Sequence, residues 1–189
     1  MEKPNSYCDY VNRLPDGNLH RVYHDTQYGF PLDADNELFG RLVLEINQAG
    51  LSWTTILTKQ DNFRKAYANF GIKAVAGFGD TDVKKLLGNA GIVRNTLKIK
   101  AAIYNANKIM ALQQSHGSFK NWLDQNHPLS LEQWVRLFKK TFTFTGGEIT
   151  KEFLMSTGYL PGAHIETCKV FKTVIKQQPR WHTCRTTTQ

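Results

Sequence analysis

Residues 35–46, DNELFGRLVLEI, place Leu38, Phe39, Leu42, Val43 and Ile46 on one stripe of a helix. The same period recurs in NFRKAYANF (62–70), TDVKKLLGNAG (81–91), RNTLKIKAAIYNANKIMALQQ (94–114), LSLEQWVRLFKK (129–140) and EITKEFLMSTG (148–158). GAHIETCKVFKTVIKQ (162–177) reads as the last helix. Asp35 or Asn36 is positioned to cap the helix at 35–46. Several segments end in Gly, as helix C-termini often do. Alternation of period two is confined to TFTFT, Thr141 to Thr145, a short candidate strand. A chain dominated by this one period has few options. The expectation is an all-α domain of about eight or nine short helices.

The 189 residues suit one domain with a real core, or two small lobes sharing one. We expect a single domain over 1–178 made of two helical lobes, followed by a basic tail over 179–189. No apolar run approaches the roughly 20 residues of a membrane helix, and MEKPNSYCDY lacks the charged-then-apolar order of a signal peptide. The expected compartment is therefore the cytoplasm, with no membrane partner. Three cysteines, an odd count, argue against a disulfide framework and are too few for a four-cysteine cluster. A net charge of +8 favours polyanionic partners, nucleic acid above all; the competing explanation is a merely basic surface.

Two constellations stand apart from the apolar stripes. His164 and Cys168 lie four apart, so on a helix their side chains share a face. Cys8 and His24 lie near the other end of the chain, and the four together make a closed Cys2His2 set suited to a structural zinc. Such a site would tie the N-terminus to the last helix. The alternative is a buried Cys with solvated histidines; His20, His116, His127, His182 and Cys184 remain possible substitutes, with Cys184 better read as a spare thiol. The second constellation is LLGNAGIVRNTLKIKAAIYNAN, a helix, a turn at Gly91 and a long helix. Backbone N–H groups at such a turn can hold a phosphate oxygen, with Arg94, Lys98 and Lys100 adding charge. The alternative is a plain interhelical turn with a solvated basic face.

Taken together, YHDTQYGFP (23–31), LEINQAGLSW (44–53), NAGIVRNTLKIKAAIYNA (89–106), FTFTG (142–146) and the H-x3-C pair at 164 and 168 resemble the 3-methyladenine DNA glycosylase I family. The resemblance runs in collinear order over roughly residues 7–176. It implies a helix-hairpin-helix DNA glycosylase fold and a monomeric, monofunctional repair enzyme. The partner would be double-stranded DNA with alkylated bases, and the product 3-methyladenine. It makes Cys8, His24, His164 and Cys168 the ligands of one structural zinc that joins the N- and C-terminal segments, and Gly91 the hairpin. Glu45, Tyr23 and Trp53 fall where the family reads the flipped base. Gln48, Gly50 and Leu51 fall where it meets the DNA at the vacated base.

The chemistry suits those residue types. Alkylation at N3 makes adenine cationic and weakens its glycosidic bond, so little acid catalysis is needed. A carboxylate favours the cation, aromatic faces stack on it, and an apolar side chain fills the gap left in the duplex. FTFTGGEITKEF contains no Asp to activate water. Its Glu148 is either a candidate acid or a first-turn carboxylate favoured by the helix dipole. No lysine is placed for a Schiff base, so strand cleavage is not expected. The chain departs from the family pattern at Ile46, at His20, at Gly146–Glu148 and at Gly162–His164. The first three can reshape the base pocket, which leaves open a catalytically altered homologue that binds DNA or a modified purine without excision.

Overall fold

The computed structural model describes residues 3–183, and among these every regular element is helical. They are α1 (Tyr7–Asn12), α2 (Leu19–Thr26), α3 (Asp35–Gln48), α4 (Trp53–Ala66), α5 (Ile72–Ala76), α6 (Asp80–Gly88), α7 (Thr96–His116), α8 (Phe119–Asn126), α9 (Leu131–Thr141), α10 (Gly147–Ser156), α11 (Phe171–Lys176) and α12 (Arg180–Thr183), with a 3-10 turn at Ala68–Phe70. The chain forms two compact units. One takes the chain up to Leu32 and again from Leu154; the other is Asp33–Phe153. No described helix is long and apolar enough to cross a membrane.

Among the described residues twelve α-helices exceed the eight or nine expected; α1, α2, α5, α8 and α12 are short helices that no long apolar run marks. Side-chain caps set six of the helix starts. Ser6, Asn18, Ser52, Asn95, Ser118 and Ser130 each accept a backbone N–H in the first turn of α1, α2, α4, α7, α8 and α9. Two sequence expectations are corrected. Thr141–Thr145 is no strand: Thr141 closes α9, and the loop after it carries Phe144 at φ +62. The last helix does not span 162–177. Residues 161–170 are bends followed by turns, the turns closed by Cys168 N–H to Ile165 O at 2.9 Å and Phe171 N–H to Cys168 O at 3.0 Å, and the helix begins only at Phe171. Arg180–Thr183, within the stretch read as a tail, is helical, while Cys184 lies outside the described residues.

The second unit is built around α3. Leu38, Phe39, Leu42 and Ile46 are fully buried, as the stripe requires. Ile46, a departure from the family pattern, therefore packs in the core. The start of α3 is not capped by its own Asp35 or Asn36. Ala34 is the N-cap, with no side-chain bond. Asp35 instead accepts the N–H groups of Phe119 (2.8 Å) and Lys120 (2.9 Å) at the start of α8, and Asn36 accepts that of Ile72 (3.2 Å) at the start of α5. Each caps a neighbour in space, satisfying donors those helices would otherwise leave open. Gly40 leaves a notch on α3: a Cβ there would lie 2.6 Å from the Phe70 ring. To seat that ring, Ala68, Asn69 and Phe70 adopt left-handed φ values of 49°, 55° and 58°. Such backbone costs roughly 1–2 kcal/mol per residue, which burial of Phe70 offsets. Around α8–α10, Phe119, Trp122, Phe138, Phe142 and Phe153 form one aromatic cluster.

Candidate functional site

In the first unit, Cys8 on α1, His24 on α2, and His164 and Cys168 in the 161–170 turns bring their ligand atoms within 4.8 Å of one another, and all four are buried. His164 Nδ1 is 3.2 Å from His24 Nε2; Cys168 Sγ is 3.7 Å from each of those nitrogens; Cys8 Sγ is 3.9 Å from His164 Nδ1. The other ring nitrogens are occupied. His24 Nδ1 meets the Asp25 carboxylate at 2.7 Å and His164 Nε2 meets the Tyr28 carbonyl at 2.7 Å. These contacts orient both rings so that the remaining nitrogens face the centre. Burial holds His164 below its usual range, which keeps it neutral. Burial likewise pushes the Cys8 thiol up to about 11, a shift that a bound cation reverses. Cys8, Phe30, Cys168, Val170 and Val174 form the apolar wall. The four residues can hold one metal ion. His164 and Cys168 face the centre from turns rather than from a shared helical face; Gly29 is essential to the approach, since a Cβ there would lie 2.7 Å from Ala163 Cβ.

In the second unit, the end of α3 and the start of α4 gather most of the proposed DNA-facing residues. Glu45 is 4% exposed on the inward side of α3, not a solvated edge acid. Gly50, at φ +79, makes the turn. Leu51 N–H donates to the Gln48 carbonyl (2.7 Å), and the Gln48 side-chain amide donates to the Leu51 carbonyl (2.9 Å). This doubly bonded turn presents Leu51, 39% exposed, at its tip, and Trp53, half-buried, opens α4. Tyr23 belongs to the first unit; it is buried on α2 with its ring 5.5 Å from that of Tyr28.

Lys98 corrects the sequence reading. It is only 5% exposed, and its ammonium donates to the Ala49 and Asn47 carbonyls at 2.6 and 2.9 Å. It is therefore the C-terminal cap of α3, supplied by α7, rather than a surface phosphate contact. Burial lowers its pKa. The turn at Gly91 lies between α6 and α7 as expected, but the Gly91 N–H is taken by Asn89 Oδ1 at 2.8 Å, and Lys59 donates to the Ala90 carbonyl at 2.8 Å. Arg94 and Lys100 are exposed and remain available to phosphates. Glu148 is an exposed residue of the first turn of α10, the place the helix dipole favours. Asp25 and Asn105 were not singled out in the sequence. Adjacency to His24 is a usable signal for Asp25; nothing local marks Asn105, whose side chain reaches across 38 residues to Thr143.

These residues define an all-α protein with a buried Cys2His2 cluster in one unit and, in the other, a buried carboxylate near an exposed, leucine-tipped turn. The comparisons identify the family. A model described as methyladenine glycosylase matches residues 14–135. DNA-3-methyladenine glycosylase 1 of Escherichia coli (strain K12) is 32% identical over 180 residues, covering 85% of this chain and 94% of that protein. A crystal structure of 3-methyladenine DNA glycosylase I superposes with a TM-score of 0.74 at 30% identity, covering 84% of this chain and 97% of that one. The Staphylococcus aureus enzyme, solved for the structural basis of 3-methyladenine recognition, superposes with a TM-score of 0.75 at 27% identity, covering 82% and 93%. The chain belongs to the 3-methyladenine DNA glycosylase I family.

Proposed function

We propose that this protein is a DNA-3-methyladenine glycosylase that acts as a monomer on alkylated double-stranded DNA. The observation that carries the reading is the buried Glu45 one helical turn before the Gly50–Leu51 turn, in a chain of this family. The base is flipped out of the stack. Its N-glycosidic bond breaks with the electron pair going to the base, which leaves as neutral 3-methyladenine. Water adds its oxygen to C1′ and releases a proton. Because the methylated base is already cationic, the enzyme's contribution is extraction and selection. Glu45 accepts a hydrogen bond from the base and favours its charge, strongly so in a buried setting. Trp53 offers a stacking face. Leu51 fills the vacated space, and Gln48 and Gly50 hold it there. Tyr23 is assigned to the base on the resemblance alone. Arg94, beside the hairpin turn at Gly91, supplies phosphate contact.

For the metal centre we propose zinc. On a tetrahedral zinc, bonds of about 2.3 Å to sulfur and about 2.0–2.1 Å to nitrogen set N···N near 3.3 Å and S···N near 3.5 Å. The distances of 3.2 Å for N···N and 3.7–3.9 Å for S···N support that fit. With four protein ligands the ion would be structural, fastening α1 and α2 to the 161–170 turns.

The test is release of methylated purine from methylated duplex DNA. Release of 3-methyladenine is expected; a protein that binds the duplex or free base without release would instead be the altered homologue. Glu45→Gln keeps the shape and loses the charge-assisted bond, worth about 1.5–3 kcal/mol, so excision should fall roughly 10- to 150-fold. Unchanged single-turnover excision would remove Glu45 from the site. Duplex binding should weaken linearly in log salt, the mark of phosphate contacts; a flat response would argue against DNA as the partner.

A further inference from the structure

One face of α7 holds two loops. Lys98 secures the turn that carries Leu51, as described above. Asn105, two turns further along the same face, secures the loop between α9 and α10: its amide donates to the Thr143 carbonyl at 3.1 Å and its carbonyl oxygen accepts the Thr143 N–H at 2.9 Å. Seven residues of helix separate the two anchors by about 10 Å. The loop is constrained again at Thr145, whose buried hydroxyl meets the Phe138 carbonyl at 3.1 Å and the Phe142 carbonyl at 3.3 Å. Phe142 is sunk in the aromatic cluster. Between these fixed points Phe144 is turned outward, 36% exposed, in a left-handed conformation at φ +62. A bulky side chain there is strained, and it persists only because its surroundings over-determine it. With 36% of its surface exposed, the ring is used only in part by the core. Strain held in place by Asn105 and Thr145 therefore serves what lies outside.

Phe144 lines a shallow cavity of about 490 Å³ together with Lys139, Phe142, Thr143, Thr145, Gly146 and Ile149. A flat ring beside a lysine matches a nucleotide, with the base on the ring and the phosphate on the ammonium. No carboxylate lines the cavity; Glu148 is the nearest acid in sequence and lies outside the lining. Lys140, exposed, extends the positive charge along α9, while Arg136 is paired with Glu132 at 3.8 Å.

We propose that the Phe142–Gly146 loop is a second DNA-contacting element, in which Phe144 stacks on a nucleobase of the bound strand and Lys139 holds a neighbouring phosphate. This inference rests on the glycosylase reading and deepens it. The Leu51 turn fills the gap in the duplex, and the Phe144 loop, anchored on the same helix face, grips the strand alongside it.

The test measures binding of the full-length protein to a labelled duplex holding a stable abasic-site analogue, with free 3-methyladenine titrated separately. Phe144→Gly removes the ring and accepts the positive φ, so its thermal midpoint should not fall. Its duplex affinity should drop about tenfold, in the range of a lost base stack, while its affinity for free 3-methyladenine is retained. Phe144→Trp, which keeps a flat ring, should bind the duplex as the wild type does. Lys139→Gln should reduce the slope of log affinity against log salt by about 0.9. Undiminished duplex binding by Phe144→Gly, with the wild type active in base release, would overturn this inference alone. Equal loss of free-base affinity would also overturn it, because Phe144 would then belong to the base site. Failure of the wild type to release any methylated base would overturn the glycosylase reading and this inference together.

Discussion

Cys168→Ala is expected to lose the bound metal and to unfold roughly 10–20 °C below the wild type, by an argument from mass action and ligand count. Three ligands would remain, all buried, and a thiol at the fourth corner would be replaced by a methyl group. A structural zinc site is worth about 10–16 kcal/mol in small peptides, comparable to the whole stability of a typical domain. Loss of even about 5 kcal/mol of that gives the stated shift for a chain of this length. The turns over 161–170 should lose amide protection first, since few backbone bonds other than i to i+3 contacts hold them. A strong chelator should lower the wild-type midpoint by a similar amount and leave the variant unmoved. Metal analysis supplies the check: wild-type protein purified without chelator should carry one zinc per chain, and binding should release a proton from each thiol. A metal-free wild type with an unaltered melting curve would sink the proposal. Glu45, Leu51 and Trp53 belong to the second unit, so variant protein that is still folded at low temperature should retain excision through them, and a loss would point to Tyr23, the neighbour of His24.

Lys98→Met should lower both stability and excision without changing how binding responds to salt. The buried ammonium satisfies two carbonyls at the end of α3, and its loss leaves both without their donor. At about 1–3 kcal/mol per buried orphan, the expected loss is about 3 kcal/mol, or a midpoint lower by roughly 6–12 °C. The turn that places Leu51 rests on those same carbonyls, and displacement by about 1 Å can reduce turnover as much as a hundredfold. The reduction should appear in kcat. Lys98→Arg, which restores a cation and donors, should recover part of it. Arg94→Gln is the contrast: it should cut the salt slope by about 0.9 and spare turnover at saturating DNA. A reduced slope in Lys98→Met would instead make Lys98 the phosphate contact that its place in a basic run suggests.

The contrast between Lys98 and Arg94 shows how far residue type can be read. Both follow the hairpin glycine and both look like phosphate ligands in NAGIVRNTLKIK. Only packing separates them: α7 turns Lys98 onto the end of α3 and leaves Arg94 in solvent. Asp35 and Asn36 make the same point for capping. Their types are right for a helix start, yet they serve α8 and α5, because packing brings the orphan N–H groups of those helices to them. The Cys2His2 set was legible because thiols and imidazoles are scarce and chemically distinct. Its geometry was misread because i, i+4 spacing fits a run of tight turns as well as a helix, and Pro161 with Gly162 at φ +116 favours the turns.

By itself the sequence determined the helical class, the burial of the α3 stripe, the four-ligand inventory and the family, since each depends on periodicity, on residue chemistry or on ordered motifs. Tertiary structure alone decided that His164 is oriented by the Tyr28 carbonyl, that Lys98 braces the Leu51 turn, and that Asn105 holds Phe144 outward in a strained backbone. The physical reason is range. Periodicity and caps act within a turn or two of the chain, whereas a buried donor is satisfied by whichever acceptor packing brings to it, however distant in sequence.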